Sequence, residues 1–241
     1  MNYLYVILGV VVIIILYILY QYLATSTSTL TNQTNLKKQL SLPAVTDNPS
    51  TNSYSYGLWL YINSVPGQVT KSIFTTTSSP GSMSTSAGVT GIPPMNLLYS
   101  TTDKSVLVCE ILTGPTLAVQ KFNITTNFPI QKWVYIVINV QNGNFVDFYL
   151  DGKLIKSIQM PANQQNASSD QDGVVITGEN NGLDALIAGF TRTSTSVNPQ
   201  DVWSSYLAGN GGNSLSKTFS SYGIQVDLVK DNVTQSKFTL F

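Results

Sequence analysis

Histidine is absent from the 241 residues, and cysteine occurs once. Without an imidazole, Ser-His and Cys-His mechanisms are excluded, and the commonest metal ligand is missing. Cys109 cannot form an intrachain disulfide. Its place in the apolar run Val106-Leu107-Val108-Cys109 reads as a buried inert thiol, with a reactive nucleophile as the alternative. The missing disulfide leans mildly towards a reducing compartment. Charge is scarce as well: Lys+Arg and Asp+Glu number 12 each, and charged residues make up 10% of the chain, against roughly 25% in ordinary soluble domains. Ser, Thr, Asn and Gln take their place, giving a polar but weakly ionic surface. No basic face is available to neutralise phosphates, so nucleic acid is not an expected partner.

What the sequence does have begins with a long apolar run. From Tyr3 to Leu23 no residue is charged and only Gln21 interrupts the apolar character. Roughly 20 residues at ~1.5 Å each span the ~30 Å hydrocarbon core of a bilayer. Tyr3 and Tyr5 stand at one end and Tyr17, Tyr20 and Tyr22 at the other, as an aromatic belt would place them. The β-branched run containing Ile13, Ile14 and Ile15 is a poor helix former in water, but lipid leaves the backbone no other partner. The segment 1–24 is therefore expected to be a single transmembrane helix. The alternative is a cleaved signal peptide, but this run has no basic n-region and is longer than the usual h-region. Lys37 and Lys38 follow the run and place the remaining chain on the cytosolic side by the positive-inside rule. Sequons at Asn32, Asn123, Asn166 and Asn232 argue for the opposite side if they are glycosylated.

Residues 25–52, rich in Ser, Thr, Asn and Gln with Pro43 and Pro49, read as a flexible or loosely docked linker. Strand signals dominate 53–241. Tyr56 to Ile62 is apolar on both faces and should lie inside a layered structure. Leu97-Leu98-Tyr99 and Ser105 to Leu112 flank the turn Thr101 to Lys104. Trp133 to Gln159 reads as a three-strand meander with turns at Asn142-Gly143 and Asp151-Gly152. One helix is predicted, beginning at Asn198-Pro199 with Val202, Trp203, Tyr206 and Leu207 as its apolar stripe. Alternation over Tyr222 to Leu228, then Phe238 to Phe241, adds a C-terminal hairpin within 219–241. The fold class is all-β: a jelly-roll β-sandwich with one short helix, behind the transmembrane helix.

The order Tyr56-Gly57-Leu58-Trp59-Leu60-Tyr61, then Trp133-Val134-Tyr135-Ile136, then Phe148-Tyr149-Leu150-Asp151-Gly152-Lys153 resembles the concanavalin A-like lectin/glucanase superfamily. It is most similar to the laminin-G-like and pentraxin-like members. Val175 to Gly178, Ala185 to Thr191 and the helix through Tyr206 resemble the family's closing motifs, so that the likeness covers roughly 54–209. Laminin-G-like domains often bind calcium through acidic loop residues, and that set has no counterpart here. Anchor, polar stalk and jelly roll together also resemble, in architecture, membrane-bound minor capsid proteins of large nucleocytoplasmic DNA viruses. That resemblance implies the virion inner membrane as location, with the β domain on the capsid side.

Superfamily glucanases carry alternating carboxylates on one strand, spaced to flank a glycosidic bond. Glu110 and Glu179 begin no such pattern, and Asp147 and Asp151 read as a solvated strand residue and a turn former. Asp170-Gln171-Asp172-Gly173 lacks the later Glu of a calcium loop. Gly209-Asn210-Gly211-Gly212 lacks the Lys of a phosphate cradle. No catalytic residue, metal ligand or cofactor is therefore assigned. Trp59 and Trp133 are read as core, and Trp203 with Tyr206 as packing or a contact surface. The expected function is a membrane-anchored structural protein touching the bilayer and capsid or other virion proteins, rather than an enzyme. The alternative is a membrane-anchored lectin-like or adhesion module that binds glycans.

Overall fold

The computed structural model describes Gly9, 12–16, 27–43, 45, 47–48, 50–64, 67–77, 94–102, 105–114, 118–164, 174–210, 225–230 and 233–239. Two antiparallel six-stranded sheets form a sandwich. The first sheet runs, in spatial order, β1 (Thr27–Asn35), β12 (Asp184–Thr193), β3 (Tyr54–Ser64), β8 (Trp133–Gln141), β9 (Phe145–Leu150) and β10 (Lys153–Gln159). The second runs β2 (Leu40–Ser41), β11 (Val174–Thr177), β4 (Thr70–Thr77), β5 (Met95–Ser100), β6 (Val106–Thr113) and β7 (Ala118–Thr125). A separate hairpin joins β13 (Gln225–Lys230) to β14 (Val233–Thr239), as the C-terminal alternation predicted. One α-helix, Pro199–Ala208, follows β12.

The sequence dictates which faces meet. In β5 every second residue is buried, and Met95, Leu97 and Tyr99 point inward, the period-2 pattern of a strand with one wet face. Tyr54, Tyr56, Leu58, Leu60 and Ile62 of β3, with Val134, Ile136, Ile138 and Val140 of β8, supply the facing half of the core. Phe74 lies at the middle of the sandwich, with its ring 5.3 Å from that of Tyr56 and 5.0 Å from that of Phe190. On β12 a register shift between Ala188 and Thr191, with Gly189 at φ +53°, turns the alternation over. Ile187 is inward before it, and Phe190 and Arg192 are inward after it, while Ala188 sits in the cluster on the outer face. This is the action of a β-bulge, which re-aims the side chains beyond it.

The linker expected over 25–52 is corrected. Thr27–Asn35 is an edge strand paired along β12 from Thr193 to Leu186, and Leu40–Ser41 pairs with β11. Only Leu30 gives β1 an apolar anchor inside the sheet, so its composition looked like a stalk while its backbone completes the ladder. Arg192 fastens the following stretch: its guanidinium is buried, donates to the carbonyls of Asp47 at 2.8 Å and Asn48 at 3.1 Å, and lies over the Tyr54 ring at 5.5 Å. Lys37 closes a second clip, its Nζ lying 2.9 Å from Asp184 Oδ1.

Other expectations map plainly. Cys109 is buried in the core, and burial raises its thiol pKa, which leaves it an inert packing group. Of the small-residue stretch Ser78 to Pro94, which the sequence predicts to be a long loop, residues 78–93 lie outside the described residues, as do the turn residues 103–104 and residues 222–224. So do Tyr3, Tyr5, Tyr17, Tyr20 and Tyr22 of the apolar run. Within that run Gly9 and 12–16 are helical, and Ile13, Ile14 and Ile15 are exposed. Among the described residues no helix is long and apolar enough to cross a membrane.

The Lys37–Asp184 clip has a pH signature. The Lys37 ammonium, then Asn63 Nδ2 and Ser64 Oγ, hold the Asp184 carboxyl down at about 2. A lowered folded-state pKa gives stability that is complete above the unfolded value near 4 and fades as pH falls through the folded one. Urea midpoints of the parent chain should therefore drop more steeply between about pH 4 and pH 2 than those of Asp184→Asn. Parallel slopes for the two would show that the clip contributes nothing.

Candidate functional site: a hydroxyl-lined cleft beside the helix

Strands β3 and β8 are apolar on both faces, and the sandwich core uses only one of them. The outer face carries Trp59, Tyr135, Val137, Tyr149 and Ala188, which form a second cluster. The helix Pro199–Ala208 covers it. Asn198 Oδ1 caps the helix by accepting from the Asp201 N–H at 2.9 Å, Pro199 pre-sets the first turn, and the Gly209 N–H closes the end on the Tyr206 carbonyl. Val202 is then buried against the sheet, and Tyr206 lies against Trp59 with centroids 5.6 Å apart and planes at 21°. Trp59 continues the stack to Tyr135 at 5.2 Å.

Two further contacts fix where the helix sits. Asn139, buried on the outer face of β8, exchanges two hydrogen bonds with the backbone of Val197, donating at 3.2 Å and accepting at 3.0 Å. At the other side Trp203 rests on the β9–β10 turn. A Cβ on Gly152 would come 2.6 Å from Trp203 Cε3, and Gly152 also has φ +78°. Glycine is needed there twice, for the turn and for the space.

The helix covers only part of the sheet. Between it and the β1–β12–β3 edge a cleft of about 370 Å³ remains, at the small end of the range for small-molecule sites. Gly57 belongs to its lining, and a Cβ there would meet Tyr135 Oη at 2.8 Å and Thr191 Oγ1 at 3.3 Å. Thr27, Ser55, Thr191 and Thr193 come from the sheet; Thr195 and Ser196 from the connection; Ser204 and Ser205 from the helix. The charged group of the lining is Asp201. Burial raises the pKa of Tyr135, which hydrogen-bonds Ser205 and stays a neutral phenol. Such a lining offers many groups that can both donate and accept, one carboxylate and no cation.

The candidate contact residues Trp203 and Tyr206 fall beside this cleft rather than in it. Tyr206 is half-buried as the stacking partner of Trp59; Trp203 is 43% exposed and forms the outer flank of the helix. Trp59 is buried, but beneath the helix and not between the sheets; Trp133, expected in the core, is half-buried with its ring 5.4 Å from Tyr61. Asp147 is buried on the outer face and accepts from Gln141 Nε2 at 2.7 Å, a correction to its reading as a solvated strand residue. Asp151 does serve its turn, accepting from the Tyr135 N–H at 3.0 Å and from Lys132 at 3.2 Å. Glu110 and Glu179 are spent on ion pairs with Lys121 and Lys71. Asn32 and Asn123 are exposed on edge strands, while Asn166 and Asn232 lie outside the described residues, as does 170–173. The hydroxyl cleft was missed because its members are scattered from Thr27 to Ser205 and no one stretch announces them.

A family model described as the concanavalin A-like lectin/glucanases superfamily matches residues 33–203, well over half of the chain. The match begins inside β1 and ends within the helix. Among solved structures, the receptor binding domain of botulinum neurotoxin D is 12% identical with a TM-score of 0.54, over 75% of this chain and 45% of that one. The botulinum neurotoxin serotype D ligand binding domain in complex with N-acetylneuraminic acid is 11% identical with a TM-score of 0.55, over 76% of this chain and 46% of that one. At these identities the likeness is one of fold, and the chain spans less than half the length of either neighbour. A comparison with curated protein sequences finds none that matches.

Gly152→Ala should lower stability by about 1–3 kcal/mol through its positive φ and the displaced indole. Gly67→Ala, at φ +70° with open space around it, carries the backbone cost alone and serves as control. Urea unfolding followed by tryptophan emission separates them: only Gly152→Ala should shift the emission of the folded state. Equal losses with unchanged spectra would mean that Trp203 does not rest on the turn.

Proposed function

The chain belongs to the concanavalin A-like lectin/glucanases superfamily, and from that premise we propose that it is a carbohydrate-binding module whose ligand seats in the cleft beside the helix. The observation that carries this reading is the lining itself: eight Ser and Thr residues, the Tyr135 phenol and one carboxylate around about 370 Å³. A sugar ring presents hydroxyls on every edge, and a wall of hydroxyls can match either their donors or their acceptors. Each such bond contributes only about 0.5–1.5 kcal/mol net, so a monosaccharide binds weakly and affinity grows with a second ring. Asp201 can accept from two neighbouring sugar hydroxyls in charge-assisted bonds. A lining with one carboxylate supports binding rather than hydrolysis, since hydrolysis requires a pair flanking the bond.

The sign of that charge sets the preference. A neutral hexose meets Asp201 as a hydrogen-bond acceptor, whereas an acidic sugar brings a second negative charge to a cleft whose lining holds no Lys or Arg. The solved neighbour carrying N-acetylneuraminic acid supports glycan recognition as a class, and the cleft here fits uncharged rings better. On an array of neutral and sialylated glycans the full chain should retain neutral structures. Asp201→Asn should weaken them about 5- to 100-fold, the effect of losing one charged acceptor. Retention of sialylated glycans alone, or binding indifferent to Asp201, would overturn the assignment.

A second reading, the virion tether, is favoured by a different surface. Trp203 and Leu207, one helical turn apart, are 43% and 66% exposed, and the exposed Leu154 and Ile155 lie on β10, against which the helix packs. An apolar patch of this kind suits contact with another protein. Leu207→Ser with Leu154→Ser should then weaken co-sedimentation with capsid proteins while leaving glycan retention intact. Unchanged co-sedimentation would remove this reading.

A further inference from the structure

We propose that the cleft reads neutral sugar headgroups of lipids in the same membrane that holds the chain, rather than glycans on an opposing surface. The proposal rests on the carbohydrate reading above and on the apolar run Tyr3–Leu23 entering a bilayer with the β domain on its sugar-bearing face, the side that glycosylation of the sequons would mark and not the cytosolic side that Lys37 and Lys38 favour.

Its motive is where the chain joins the sheet. Thr27, the first residue of β1, is itself part of the cleft lining, and its hydroxyl lies 3.3 Å from that of Thr193, another lining residue. The apolar run ends at Leu23, four residues earlier. A fully extended chain covers at most ~3.3–3.6 Å per residue, so the cleft wall cannot be more than about 14 Å from the end of the run. The headgroup layer on each side of a ~30 Å hydrocarbon core is itself about 5–8 Å deep. Whatever path residues 24–26 take, the cleft is held within about one headgroup length of the lipid surface.

β1 then leads away from that end. Its last residue, Asn35, pairs opposite Leu186, which in turn faces Tyr61 of β3 and through it Trp133 of β8. Ser55, Gly57, Thr191 and Thr193, which line the cleft, all lie at the end of the sheet where the chain enters. The outward-pointing aromatic pair Tyr61 and Trp133 lies at the other end. A site meant for distant glycans would be better placed there, because a long soluble polymer loses freedom in the narrow space beside a bilayer. A headgroup of one or two rings, already anchored by its tail, loses little.

Chemistry narrows the class further. Anionic headgroups need Lys or Arg, and the lining has Asp201 instead. Choline headgroups pair a phosphate with a quaternary ammonium, which calls for a cation and an aromatic face, but the cleft lining has no Lys or Arg and presents the hydroxyl end of Tyr135 beside Gly57. Uncharged, hydroxyl-dense headgroups are what remains.

The test uses the full chain reconstituted in phosphatidylcholine vesicles, with a lactosyl lipid bearing a photoactivatable sugar. The lipid is supplied in the same vesicles, in separate vesicles, or replaced by the free photoactivatable disaccharide. Crosslinking to 55–57 or 191–205 should be more than about tenfold higher in the same-membrane arm, from raised local concentration, and should fall several-fold in Gly57→Ala. Crosslinking equal in all arms, or confined to the separate vesicles or the free sugar, would overturn the same-membrane inference and leave carbohydrate binding standing. No crosslink at these residues in any arm would overturn both. A chain that leaves the vesicles in alkaline carbonate would overturn the inference at its root.

Discussion

The seating of Tyr206 against Trp59 is the contact on which the rest of the site depends. Strands β3 and β8 are apolar on both faces, and a sandwich has only one interior to offer. Without a cover, Trp59, Tyr135, Val137 and Tyr149 would leave a wet aromatic strip on the first sheet. The helix Pro199–Ala208 solves this by burying Val202 and laying Tyr206 flat on Trp59. Offset aromatic pairs of this kind contribute about 0.5–1.5 kcal/mol beyond their burial. The helix covers Trp59 and leaves open the end of the sheet that carries Thr27, Ser55, Gly57, Thr191 and Thr193. The cleft is the uncovered remainder of the same face.

Two devices, one polar and one steric, hold that arrangement in register. The Asn139 amide, pinned to Val197, sets where the chain leaves the sheet before it turns into the helix. Gly152 sets how closely Trp203 approaches on the far side. Between them the wall of Ser204 and Ser205 stands opposite Thr191 and Thr193. On the inner face, the bulge at Gly189 turns Arg192 inward, where two carbonyls of 47–48 take up its charge. A buried guanidinium without a carboxylate partner is costly unless its donors are satisfied; here it ties the early chain to the sandwich.

Much of the layered core was readable from the sequence because its signals are local. The double-sided apolarity of Tyr56 to Ile62, the Asn142-Gly143 and Asp151-Gly152 turns, and the Asn198-Pro199 helix start all stand where expected; both turns use positive φ. β1 was not readable, since TSTLTNQTN holds one apolar residue and joins the sheet chiefly through its backbone ladder. Trp59 was seen to be buried but not by what, because a sequence does not tell which side of a doubly apolar strand the helix will take. The cleft escaped for a deeper reason. Serine and threonine carry no positional signal, and only the bulge on β12 and the path of the helix bring them together.

A neutral glycan bound in this fold would seat on the uncovered part of the outer face. Hydrogen–deuterium exchange of the full chain, with and without a neutral oligosaccharide it retains, tests this directly. Added protection is expected over 55–57 and 191–205, with the β5–β6–β7 side of the sandwich unchanged. Protection confined to the second sheet, or to β10 and the Gly152 turn, would contradict it and place the glycan elsewhere on the fold.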